Sequence, residues 1–152
     1  MAKEIKYGYS YGPRCMVPNV RIGASEDFNH LGGNFVDDDA SGNFEISAVG
    51  SDPIHGWAVM SEQDALASEG GTVASLDISC ESVYRIPINA GTYDYTMRFK
   101  TCDLSVSGNM QGAVLNLSGE DTLIIVDGNN TDGWVDVKMN SNKMGSANAA
   151  GA

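Results

Sequence analysis

Residues 83–139 carry apolar side chains at every second position, in short bursts separated by turn-forming residues. This pattern restricts the fold most, because period two buries one face of a strand and does not match the 3.6-residue period of a helix. Tyr84, Ile86 and Ile88 alternate with Arg85 and Pro87. Tyr93, Tyr95, Met97 and Phe99 alternate with Asp94, Thr96, Arg98 and Lys100, which predicts a strand over residues 93–101. Leu104 with Val106, and Ala113 with Leu115 and Leu117, predict two more. Residues 123–126 are continuously apolar, as in a central strand, and Val135, Val137 and Met139 share one face of a closing strand. Asn89-Ala90-Gly91, Ser107-Gly108-Asn109 and the Asn-, Asp- and Gly-rich residues 127–133 supply turns. Turns recurring every ~8–12 residues favour an all-β sandwich or barrel. Pro87 lacks a ladder donor, so its strand is expected at an edge or with a bulge.

The N-terminal half gives sparser signals of the same kind. Residues 20–22, 44–48, 57–60 and 73–79 predict short strands. Ser25 ahead of Glu26 and Asp27 predicts a helical turn over residues 25–31, and Ser61 with Asp64 predicts a short helix over residues 61–67. Asp37-Asp38-Asp39, followed by Ser41-Gly42-Asn43, predicts a solvated acidic loop. The expected architecture is mainly β: a compact antiparallel sandwich or barrel with at most one short helix. It comprises an extended N-terminal arm (residues 1–17), a β domain (residues 18–139) and a flexible C-terminal tail (residues 140–152) of mostly Ser, Asn, Gly and Ala.

A chain of 152 residues is long enough to bury roughly 68–70% of its unfolded surface, so stability requires neither disulfide nor metal. Its net charge of −11 argues against nucleic acid as a partner. The charge is uneven. Residues 1–21 hold Lys3, Lys6, Arg14 and Arg21 against Glu4, a net of +3. The other 131 residues hold five basic and nineteen acidic side chains, a net of −14. A basic segment on an acidic body suggests docking onto an acidic surface, its own copy's or a partner's. Within it Tyr7, Tyr9 and Tyr11 alternate with Gly8, Ser10 and Gly12, so in a strand the three rings share a face. That face packs either on its own domain or across a neighbouring subunit. Lys3, Lys6, Tyr7, Tyr9, Tyr11 and Arg14 are the candidate partner-binding residues.

Reactive constellations are scarce. Cys15, Cys80 and Cys102 show no CxxC spacing, and His30 and His55 are the only histidines. A structural zinc needs about four ligands. The cysteines read as small apolar residues of a protein made in a reducing cytoplasm. Residues 127–138 fail as an EF-hand, because Asp132 and Lys138 stand where Gly and Glu are required. GxSxG, Walker and GxGxxG patterns in strand-to-helix context are missing. We expect no catalytic residue, metal or cofactor. No apolar run has signal-peptide or transmembrane character, so no membrane partner is expected. Trp57 and Trp134 fit either core packing or a sugar-stacking platform.

Lys100-Thr101-Cys102-Asp103-Leu104 at a strand junction, Glu120-Asp121-Thr122 before Leu123-Ile124-Ile125-Val126, and the closing Trp134-Val135-Asp136-Val137 give residues 83–139 a particular style. In this the chain resembles the small β proteins that decorate or cement the capsids of tailed bacteriophages. The resemblance implies a virion structural protein without enzymatic activity, bound to the outer face of the shell and made in the host cytoplasm. Its partner would be the major capsid protein, across whose seams it adds contact area. Homo-oligomers, trimers among them, are also implied. The alternative is a carbohydrate-binding β-sandwich module, and a glycan-binding outer face is compatible with both.

Overall fold

The computed structural model describes residues 7–23, 32–38, 42–47, 54–59, 73–107, 110–116 and 121–141. They form eleven strands: β1 Gly8–Tyr11, β2 Met16–Arg21, β3 Asn34–Asp38, β4 Phe44–Ile46, β5 Gly56–Val59, β6 Val73–Asp77, β7 Val83–Ala90, β8 Thr101–Ser107, β9 Met110–Val114, β10 Leu123–Asn129 and β11 Trp134–Met139. One 3-10 turn, Tyr95–Met97, precedes β8. The mainly β expectation holds. The helices expected over residues 25–31 and 61–67 lie outside the described residues, as do Asp39 and the tail beyond residue 141.

The C-terminal strands close into a five-stranded barrel in the order β7-β11-β10-β8-β9. All neighbours are antiparallel except the closing pair, in which Ile88 faces Ala113 and Ala90 faces Val114 in parallel. β10 is central, as its apolar run predicts. β7 makes the closure possible through its length. Along one edge its residues 83–85 pair with β1 and its residues 88–90 with β9. Pro87 falls in the interval between those partners, in a strand that is paired on both sides rather than at an edge of the sheet and whose register with β9 shifts just past it, between Ile88 and Ala90. Ile88 donates its amide to Gly133 on the β11 side. By alternation, the donor that Pro87 lacks faces the interval, where no ladder bond is lost.

The N-terminal strands form a second sheet, β2-β6-β5-β3-β4, antiparallel throughout. It curls until Ile22 bridges to Phe44, with the Gly23 amide 2.9 Å from the Phe44 carbonyl. Ile22, Val36, Ala58, Ala74 and Leu76 fill the inside of the curl. The other face of β3 and β5 turns to the barrel, so Phe35 and Trp57 join Tyr7, Tyr84, Ile86, Leu123, Val135 and Val137 in a larger core. Trp57 stacks on Tyr84 at 4.4 Å, and Phe35 meets both rings edge-on at 4.7 and 5.5 Å. Such pairs contribute about 0.5–1.5 kcal/mol each beyond area burial. A buried polar clasp fixes the joint: Gln111 of β9 accepts from the Phe35 amide (2.6 Å) and donates to the carbonyls of Phe35 and Ser47 (2.9 Å each).

Two sequence expectations are corrected. Asp37 and Asp38 belong to β3, where Asp37 is buried opposite Glu45, rather than to a solvated loop. The ladder with β4 carries the strand through Asp37 and Asp38, and Asp38 meets His55 at 3.6 Å. Residues 93–100 form no strand. Asp94 accepts from the amide of Thr96 and caps the 3-10 turn, and Phe99 adopts a left-handed φ of 68°. Extended structure resumes at Thr101.

Candidate functional site

The expected arm is, from Tyr7 onward, woven into the body. β1 is the outer strand of the six-stranded sheet built on the barrel, and β2 is the outer strand of the second sheet. Residues 8–21 thus form an edge of both sheets in one passage of chain, turning between them at Gly12 (φ 104°). Tyr7 is buried, its ring 5.5 Å from Trp57, its hydroxyl donating to the Gly33 carbonyl and accepting from Asn34. Burial pushes its phenol well above the usual range. Tyr9 is half-buried, edge-on to Tyr84 at 5.8 Å, and its hydroxyl donates to Gly12. Tyr11 is 52% exposed. The three rings therefore do not share one fate, because a register shift between Tyr9 and Tyr11 breaks the alternation.

Asp77 fastens this passage. Its buried carboxylate accepts from the Tyr84 hydroxyl, the Cys15 amide (3.0 Å) and the Ser79 amide (3.1 Å), with the Arg14 Nε at 4.0 Å. Burial alone would raise this carboxyl; the Tyr84 hydroxyl and the backbone amides outweigh it and hold it below the usual range. Burial and the bond to Asp77 push the Tyr84 phenol up. The Arg14 guanidinium lies 3.7 Å over the Tyr9 ring. Of the candidate partner-binding residues, Tyr7 and Tyr9 anchor the segment inward, Tyr11 and Arg14 reach the surface, and Lys3 and Lys6 lie outside the described residues. Sequence reasoning missed Met16 and Val17, exposed on the edge strand β2, and Ile78, exposed just past β6, whose amide donates to the Cys15 carbonyl. The signal was available: β2 reads MVPNVR, with no alternation that would bury one face.

A second surface stands on the residues 93–100 loop. Tyr95 is 76% exposed and Phe99 69% exposed. Arg98 stands between them, its guanidinium 5.8 Å from the Tyr95 ring and 5.5 Å from the Phe99 ring. The loop is tightly held. Phe99 donates to Ile125, Ile125 to Lys100, and the Arg98 Nε to the Val126 carbonyl. Tyr93 turns inward and its ring lies on Gly128, where a Cβ would come within 2.6 Å of it. Asn130 accepts from the Tyr93 amide. Sequence reasoning hid this surface by assigning its rings to a buried strand face.

Trp57 is buried and offers no stacking face. Trp134 is half-buried, and the Arg85 guanidinium lies 3.5 Å over its ring. Asp136 fixes Arg85 through two bonds of 2.8 and 3.0 Å. His55 faces Asp38 and, edge-on, Phe44, while His30 lies outside the described residues. Among the described residues no three His, Cys, Asp or Glu side chains gather as metal ligands. The three cysteines are free, and burial pushes the Cys102 thiol up to about 12.

Comparison of the chain with protein-family models, curated proteins and solved structures finds no match.

Proposed function

We propose that this chain is a non-enzymatic structural protein of a virion, a decoration or cement protein that docks on the outer face of an assembled capsid and ties its major subunits together. One observation carries the reading: a single basic passage of chain forms the outer edge of both sheets on a strongly acidic body, and it displays Tyr11, Met16 and Val17. Exposed edges and apolar side chains are features that isolated proteins blunt or bury, so a retained one favours contact. Pro18 and the left-handed Asn19 interrupt β2 and disfavour indefinite strand addition, so the contact is made by side chains. Tyr11 supplies an amphipathic anchor, and Arg14, Arg21, Lys3 and Lys6 steer toward carboxylates of the shell.

The test is cosedimentation of the purified protein with shells stripped of it. Deleting residues 2–14 would remove Tyr7 and Tyr9 from the fold, so point variants serve better. Tyr11→Ser with Met16→Ser, and separately Lys3→Glu with Lys6→Glu, are expected to weaken binding at least ~10-fold each, about 1.4 kcal/mol or more. Unchanged binding by both pairs would remove the edge from the contact. Protein that never pellets with shells would end the decoration reading.

A further inference from the structure

We infer that the Tyr95–Phe99 loop is a self-docking surface through which two copies of this chain pair about a two-fold axis. The two most exposed large apolar side chains among the described residues sit four positions apart on this one loop. They are not loose ends. Phe99 is held at φ 68°, a conformation that costs a bulky residue energy and persists only when its surroundings impose it. Those surroundings are the backbone bonds to Ile125, the bond from the Arg98 side chain to the Val126 carbonyl and the ring of Tyr93 seated on Gly128. Displaying two rings on a rigid frame lowers the ordering cost of association. Tyr, Phe and Arg are residue types enriched at interfaces.

Charge selects the occupant. The loop carries an exposed carboxylate, Asp94, and an exposed guanidinium, Arg98, on either side of the Tyr95 position. No carboxylate among the described residues forms an ion pair with Arg98. In a two-fold contact each residue meets its counterpart's neighbour, so Arg98 of one copy faces Asp94 of the other, twice, while the rings pack at the axis. Lys100 at the end of the loop is exposed too, so the surface carries both signs of charge side by side and is complementary to a second copy of itself. The loop is also separate from the edge proposed to meet the shell: β7, β11 and β10 lie between it and β1. A pair joined at the loops therefore keeps both edges free, and the inference stands whether or not the shell reading does.

Sedimentation equilibrium of the full chain across a micromolar-to-millimolar series tests it. The expected result is reversible association to twice the chain mass. Tyr95→Ser with Phe99→Asn, the Asn chosen because it tolerates the left-handed backbone, is expected to raise the dissociation constant at least ~10-fold. Arg98→Asp should lose association, and Asp94→Asn, which removes the charge but keeps a capping side chain for the 3-10 turn, should weaken it. Unchanged thermal unfolding of the ring variant shows that the fold survives. A chain that stays single at every concentration, a limiting mass of three chains, or association unchanged by both Arg98→Asp and Asp94→Asn overturns the inference. Retained shell binding by the ring variant separates this result from the edge contact.

Discussion

Asp77 shows how one residue can hold two sheets and an edge together. Its side chain is shut away from water, yet charged, because Tyr84 and two backbone amides are aimed at it. Replacing it by Ala strands those donors, and each unsatisfied buried donor costs about 1–3 kcal/mol. Asp77→Ala is therefore expected to lower the denaturation midpoint markedly in a urea titration, whereas a change at an exposed side chain such as Glu81→Ala should leave it almost unmoved. The sign of the pH dependence follows from the same bonds. The folded carboxyl titrates below its ordinary value of 3.8, so the unfolded chain binds the proton more readily. The contribution is fully present above that value and fades as pH falls through the folded pKa. Wild type should lose stability in this acid range more steeply than Asp77→Ala; parallel curves would show that Asp77 is not the linked group.

At the level of elements, period two found most strands of the C-terminal half, including the inward row of Val135, Val137 and Met139, and an unbroken apolar run found the central β10. It failed at residues 93–100, where the alternation is as regular as any. Local turn chemistry won there: the Asp94 cap and the left-handed Phe99 outweighed β propensity, and the loop's bonds to β10 replaced a ladder. Asp37 and Asp38 misled in the opposite direction, because their acidic composition does not show that β4 pairs with them. The joint between the sheets was equally hidden. Nothing local marks Gln111 as different from a surface glutamine, yet it binds the backbone of Phe35, 76 positions away. Gln111→Leu keeps the bulk but leaves the Phe35 amide without its buried partner, and should cost about 1–3 kcal/mol. Hydrogen exchange should localise the change to β3; a uniform or negligible effect would mean that the clasp does not join the sheets.

For the whole molecule, the candidate surfaces were only half legible. Charge asymmetry pointed to the leading segment, but the division of its tyrosines into inward anchors and one exposed ring depends on the partner strand β7. An acidic body with a basic edge should bind with marked salt dependence, since charges at the rim of a contact act mainly through screened steering. Raising the ionic strength is expected to weaken shell binding several-fold, and Lys3→Glu with Lys6→Glu should flatten that dependence. A salt-insensitive interaction would leave the apolar side chains alone responsible.

The most direct measurement is electron cryomicroscopy of native particles at a resolution that traces the main chain. This β fold is expected on the outside of the shell, with residues 8–21 against the capsid subunits. Particles whose outer surface lacks the chain, or on which that edge faces solvent, would contradict that placement.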